Sequence, residues 1–485
     1  MPISTYTQAA GDAWRSMGDF AAGLVTPTVR LGVTGLARSG KTVFITALVH
    51  NLIAGARLPF FDAAAQGRLL RAYLEPQPDE IVPRFAYEKH LGDLVADSPR
   101  WPESTRRISQ LRLTLEYAST KFWKRQLGRQ RLHIDIVDYP GEWLLDLPLL
   151  RMSYSEWSQI AIDQSRMEGR KKAAKPWLAS LGLVDPTDPA DEAVAERLSD
   201  LFKAYLREAR ADPHALSTLP PGRFLMPGDL AGSPALTFAP LDPGGRDSFP
   251  RGSLWTMMER RYEAYKAHVV RPFFRDHFAR LDRQIVLIDV LAALNGGGPA
   301  VADLERAMTE IMECFRSGSN SLWSSLFSPR IDRIVLAATK ADHLHHQSHD
   351  RLEAILAKLA GRAMARAECA GAEVRVLAMA AIRATREGEA KRGGEILPCI
   401  VGYPLEGETI GRRTFDGNEK FAIFPGDLPS DPALALQGWH TEHGEMRFVR
   451  FRPPNPVPLP YGGFASFPNI RLDRALETLI GDSLA

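Results

Sequence analysis

The stretch RLGVT GLARSGKT, Arg30 to Thr42, decides the fold. Its opening residues, Arg30 to Thr34, form a short apolar strand, and Gly35 to Thr42 match G-x-x-x-x-G-K-[ST]. A helix is predicted from about Lys41 to Ala54, with Val43, Phe44, Leu48, Leu52 and Ile53 as its apolar residues. Glycines let the backbone turn until its N–H groups face phosphate oxygens, and the helix N-terminus adds its positive dipole end. The predicted phosphate contacts are Gly35, Ala37, Arg38, Ser39, Gly40, Lys41, Thr42 and Val43. Lys41 reaches the β- and γ-phosphates, and the Thr42 hydroxyl ligates Mg²⁺.

Working outward, LHIDIV ends in Asp138-Tyr139-Pro140-Gly141, 97 positions after Lys41. A carboxylate at a buried strand end beside the loop suits the holding of Mg²⁺. Gly141 can offer its backbone N–H to a γ-phosphate and move when that phosphate leaves. Further on, IDRIVLAA leads into Thr339-Lys340-Ala341-Asp342. There a carboxylate can accept from guanine N1–H and the 2-amino group, a donor pair adenine lacks, while the Lys340 stem packs on the base plane. Small residues after the next strand, Ala380 and Ala381 with Ile382, would let a backbone N–H approach guanine O6.

Phosphate loop, D-x-x-G, [NT]-K-x-D and a small-residue loop, in that order, resemble the translation-factor-like class of GTPases. The segments RLGVTGLARSGKT, WPESTR, IVDYPGEWLLDLPLL, ATKADH and MAAIRAT together resemble the YcjX-like family of bacterial P-loop GTPases, from about residue 15 to the C-terminal helix. The resemblance implies GTP and GDP as ligands with Mg²⁺, a cytosolic or peripheral protein, a stress-response association, and a YcjF-like membrane protein as partner.

A GTPase also needs a hydroxyl that touches Mg²⁺ when GTP is bound. Thr105, or else Ser104, lies where that element belongs, before the strand LRLTL; the other reading is a capping hydroxyl. Arg38, inside the loop, is similar to the arginine that dynamin-like atlastin and guanylate-binding families use as a finger in cis; the other reading is a side chain in solvent. Glu142 stands where many relatives carry a water-positioning glutamine, and acts in catalysis or as a switch contact.

Composition narrows the rest. The chain has 485 residues, Lys+Arg 60 against Asp+Glu 58, and net charge +2, which excludes a general nucleic-acid coat. Cys314, Cys369 and Cys399 are too few for a disulfide framework, and the chain reads as cytosolic with no membrane span. The predicted fold is α/β, a Ras-like, mostly parallel P-loop NTPase sheet with a large helical insertion and a β-rich C-terminal insertion. The division is an N-terminal helix (1–27), a core (28–149 and 284–392, closed by a helix at 469–483), a helical insertion (150–283) and a β-rich insertion or small domain (393–468).

Within the helical insertion, a helix is predicted to start at Asp188-Pro189, a surface loop to cover 212–252, and one helix to span 253–281 with a kink at Pro272. Residues 55–100 read as irregular apart from a helix near 80–96. Arg166, Arg170, Lys171, Lys172 and Lys175 read as a solvated face, or as a patch for anionic membrane. The run His343, His345, His346 and His349 reads as a solvated loop rather than a zinc site. An ATP-dependent P-loop ATPase or kinase, and a nucleotide-binding membrane-associated scaffold with negligible turnover, are the alternative functions.

Overall fold

The computed structural model describes residues 26–36, 38–103, 107–122, 128–167, 169–211, 220–225, 232–313, 331–369, 371–392, 395–437 and 448–485. The predicted N-terminal helix, Ala37, Ser104 and Thr105 lie outside them.

Seven strands make one sheet: β1 (Thr28–Gly35), β2 (Leu69–Glu75), β3 (Ser109–Tyr117), β4 (Gln130–Asp138), β5 (Arg283–Ile288), β6 (Arg333–Ala338) and β7 (Glu373–Ala378), in the order β2-β3-β4-β1-β5-β6-β7. β4, β1, β5, β6 and β7 run parallel, whereas β3 is antiparallel to β4 and β2 to β3. The fold is thus mixed α/β with a mostly parallel central sheet.

The central strands are apolar on both faces, as covered parallel strands must be. Ile285, Leu287, Val335 and Ala337 pack under α1 (Lys41–Ile53) and the closing helix α11 (Leu472–Ile480). Their neighbours Val286, Ile288, Leu336 and Ala338 face α9 (Gly298–Glu313) and α10 (His349–Cys369).

Between β4 and β5 the chain is helical: α3 (Tyr154–Ser165), α4 (Lys171–Leu181), α5 (Glu192–Ala211), α6 (Leu254–Tyr265) and α7 (Arg271–Asp276). Trp157 stacks on Tyr262 and Trp177 on Tyr205, with ring centroids 5.1 and 5.6 Å apart. This aromatic interior merges with the buried face of the sheet into one cluster. After β7, β8 (Arg386–Arg392), β9 (Glu395–Gly402) and β12 (Phe421–Ile423) form a small antiparallel sheet, and β10 (Thr409–Ile410) pairs with β11 (Arg413–Thr414). Ile400, Phe415, Ile423, Val449 and Phe451 form its own core.

Several local expectations are corrected. α5 begins at Glu192, not Asp188-Pro189, because Asp191 accepts from the Val194 N–H at 3.1 Å while Pro189 bridges to Ser253. The helix predicted over 253–281 runs from Leu254 to Asp276 and carries a π-helical turn, Lys266–Val270, immediately before Pro272, whose missing N–H cannot bond back into the preceding turn. Within 212–252, Phe224, Leu236, Phe238 and Leu241 are buried rather than on a surface loop. β2 is an edge strand not expected from the sequence, and the helix near 80–96 is the shorter α2 (Tyr87–Val95). Arg170 does not belong to a solvated face: it is buried and paired with Asp303 of α9.

Candidate functional site

The register brings the C-terminal ends of the parallel strands to one edge. Val33 is opposite Asp138, Gly35 opposite Leu287, and Ala338 between Ile288 and Ala378. Ligands of open α/β sheets bind outside such carboxyl ends. The segments carrying Gly35, Asp138, Thr339 and Ala380 therefore leave the sheet side by side.

The loop after β1 is tight. The Leu36 N–H donates to the Leu287 carbonyl at 3.3 Å, and the Ser39 N–H to the Leu36 carbonyl at 3.1 Å. A Cβ on Gly35 would lie 2.1 Å from Ser39 Oγ and 3.0 Å from the Leu287 carbonyl oxygen, so a side chain there would have to displace Ser39. Gly40 (φ +83°) and Arg38 (φ +63°) both adopt the left-handed conformation, and Arg38 is exposed. Ser39 is buried, and its Oγ has no hydrogen-bond partner among the described residues. Gly40 precedes α1 without a side-chain cap, so the first N–H groups of the helix face the loop's mouth. Thr42 is buried at the first turn of α1, and Val43 packs in the small cluster that also holds Ile382.

Lys41 Nζ pairs with the buried Asp138 carboxylate, and the Ser109 hydroxyl lies 3.5 Å from the other carboxylate oxygen. Lysine, serine and aspartate thus converge at the end of β4. Gly141 closes on the loop from the far side: a Cβ there would sit 2.0 Å from the Gly35 carbonyl oxygen. The 3₁₀ segment Gly141–Arg151 follows and contains Glu142, whose side chain lies outside what is described.

At the second half of the edge, the Thr339 N–H and hydroxyl both donate to the Ile288 carbonyl, at 2.9 and 3.3 Å. Lys340 is left-handed (φ +60°), and its ammonium pairs with Asp289, which also accepts from Ala292 N–H at 3.1 Å. Asp342 is buried: one carboxylate oxygen accepts from Ala384 N–H at 2.9 Å, and its main-chain carbonyl accepts from the Thr385 hydroxyl. Ala380 exchanges main-chain hydrogen bonds of 3.1 and 2.9 Å with Ile470, the residue before the turn into α11. Ala381 lines the same cluster as Ile382.

The histidine run is not a solvated loop. His343 is half-buried, its ring edge-on to Phe451 at 5.5 Å, and desolvation lowers its pKa. His349 is buried with a ring nitrogen 2.9 Å from the Ala341 carbonyl. Phe451 in turn accepts from Trp101 Nε1–H at 2.7 Å, which ties the segment before Ser104 and Thr105 to the β-rich lobe.

Sequence reasoning missed Asp289, Ser109, Thr385 and Trp101 as parts of this edge. Asp289 had a signal, an acid closing the apolar strand QIVLI. The other three owe their places to contacts remote in sequence.

The described helices include none long and apolar enough to cross a membrane. The YcjX-like family, DUF463, matches residues 29–484. A protein of Escherichia coli (strain K12) named Ras-like GTPase YcjX is 39% identical over 470 residues, covering 94% of this chain and 96% of that protein. A protein of the same name from Shewanella oneidensis is 35% identical over 476 residues, covering 94% of each. By the match over nearly its whole length and by these two relatives, the chain belongs to the YcjX-like family.

Proposed function

We propose that this chain binds GTP and hydrolyses it to GDP as a nucleotide-dependent switch. The observation that carries the reading is the shared edge: a glycine loop with Lys41 at one strand end and the buried Asp342 carboxylate two parallel strands away. Two curated relatives named Ras-like GTPase support it.

In this reading the N–H groups of Arg38 to Thr42 hold the phosphates, and the unpartnered Ser39 hydroxyl is aimed into a cradle that a Cβ on Gly35 or Gly141 would fill. Lys41 neutralises β- and γ-phosphate charge, and the second carboxylate oxygen of Asp342 accepts from the guanine edge. Thr42 and Asp138, with Thr105 or Ser104, would hold Mg²⁺, which when bound neutralises phosphate charge. Arg38 offers a guanidinium against charge developing on the transferring phosphoryl group. Gly141 gates the switch because it touches the Gly35 carbonyl. Glu142 is read as a water-positioning or switch residue.

We further read 28–149 and 284–392, with the closing helix at 469–483, as the core, and 150–283 and 393–468 as insertions. A stress role at the membrane surface with a YcjF-like partner follows the family resemblance, with the exposed Lys172 and Lys175 as the contact for anionic lipid.

The test is nucleotide affinity and single-turnover hydrolysis with and without anionic liposomes. GDP binding tighter than ADP, lost in Lys41→Ala, is expected. Tighter ADP binding rejects the guanine reading, and negligible turnover in both conditions rejects the GTPase.

A further inference from the structure

Beside the guanine-motif loop, His345, His346 and Glu387 meet across 41 positions of sequence. One ring nitrogen from each histidine and a carboxylate oxygen of Glu387 all lie within 4.8 Å of one another. His346 Nδ1 is 2.7 Å and His345 Nε2 3.9 Å from the same oxygen, Oε2. The two imidazoles lie with centroids 4.3 Å apart. Arg383 engages the opposite oxygen, Oε1, at 3.1 Å and so aims Oε2 at the histidines. An outer partner of that kind orients the carboxylate ligands of metal sites.

The donor set has unmet capacity. His345 is largely buried, its Nε2 stands 3.9 Å from Glu387 Oε2, beyond hydrogen-bond reach, and its Nδ1 has no hydrogen-bond partner among the described residues. A buried imidazole nitrogen of this kind calls for a partner. His346 is mostly exposed, so one side of the cluster is open to an incoming ion and to water as a further ligand. Glu387 lies on β8, paired with Ile400 of β9, a rigid support.

We propose that His345, His346 and Glu387 bind a divalent transition-metal cation of the zinc class, at a site separate from the phosphate-bound Mg²⁺. Two imidazoles and one carboxylate suit zinc, cobalt or nickel and are a poor set for Mg²⁺, which takes oxygen ligands and keeps its waters. Metal–nitrogen bonds of about 2.0–2.1 Å put tetrahedral ligand atoms about 3.3 Å apart, so the 2.7 Å His346–Glu387 contact opens slightly while the 3.9 Å His345–Glu387 distance closes. Each imidazole would ligate in its neutral form through a ring-nitrogen lone pair, its hydrogen on the other nitrogen, and Glu387 as the carboxylate. The ion clips the same two segments that Asp342 already joins through Ala384 and Thr385. The site stands on these three side chains and is independent of the nucleotide reading.

The test is titration of the full-length, untagged chain with Co²⁺ in excess Mg²⁺, read by visible d–d absorption. One equivalent giving a four- or five-coordinate spectrum, displaced by Zn²⁺, is expected. His346→Ala and Glu387→Gln each weaken it at least tenfold. The exposure of His346 makes its variant safe for folding, which thermal melting of both variants without added cobalt checks. Variants that bind as wild type does, or no equivalent bound below about 0.1 mM free cation, overturn the proposal.

Discussion

At the residue scale, Arg38 joins strain to function. A non-glycine residue held left-handed costs about 1–2 kcal/mol, and Arg38 sits at φ +63° in a loop whose other left-handed position is a glycine. Arg38→Gly is therefore expected to stabilise the fold by about 1 kcal/mol. Arg38→Ala keeps GDP affinity but lowers GTP turnover at least tenfold, because an arginine finger contributes on the order of 10³–10⁵ in rate. Unfolding curves and single-turnover kinetics on the two variants check the pair; unchanged turnover sinks the finger. The loop was legible from the sequence because its glycines, lysine and threonine are contiguous. Asp342 was legible as a carboxylate after a strand. The dependence of Asp342 on Ala384 and Thr385, and the Lys340–Asp289 pair, were not, since each joins strand ends that only the sheet makes neighbours.

At the element scale, the segment after Gly141 is bolted to the helical region. Asp146 is buried and accepts from Gly222 N–H at 2.6 Å, Arg223 N–H at 3.2 Å and the Tyr265 hydroxyl at 2.6 Å. Burial, with Asp146 beside it, raises the Tyr265 pKa well above its usual value, so that hydroxyl stays a donor. Arg223 also covers the Trp143 ring at 3.6 Å, and the Tyr262 hydroxyl donates to the Leu149 carbonyl at 3.2 Å. Hydrogen bonds to a charged group contribute about 1.5–3 kcal/mol each. Asp146→Ala is expected to lower stability by about 3 kcal/mol or more, and Asp146→Asn by less, since the amide oxygen still accepts. Thermal melting of both variants orders them; an equal loss contradicts the account.

The same scale holds most of what the sequence hid. The sequence located the helices around Phe202 and Tyr262 but not the one around Trp157, and their ends were set by tertiary bonds. Asp191 caps α5 because Asp188 and Pro189 are committed to the segment around Ser253. β2 reads as LLRAYLE, without clean alternation, because an edge strand buries little on either face.

At the scale of the whole molecule, six histidines share one direction. His50, His90, His133, His277, His343 and His349 have pKa values lowered from 6.5, in each case chiefly by burial. The unfolded chain then takes up protons that the folded chain refuses. Their contribution is intact above the unfolded value and is lost as pH falls through about 6.5 toward the lower folded values. Melting temperature is expected to be flat between about pH 7 and 8 and to drop by about pH 5.5, before most carboxylates titrate. A melting temperature unchanged at pH 5.5 contradicts this. The sheet class was readable from motif order, since each motif closes a strand. The fusion of the helical region with one face of the sheet was not, because its aromatic contacts span more than a hundred residues.

The indole of Trp101 on the Phe451 carbonyl and the first residue of β3, Ser109, peg the two ends of the segment that contains Ser104 and Thr105. Eight peptide steps reach at most about 28 Å. The peg at Trp101 belongs to the β-rich lobe rather than to the sheet. Trp101→Phe keeps the ring and removes the peg, so faster GDP release with an unchanged melt within about 1 kcal/mol is expected, by stopped-flow release and melting. The indole bond therefore couples two stretches of chain 350 positions apart, one leading into the sheet and one inside the β-rich lobe.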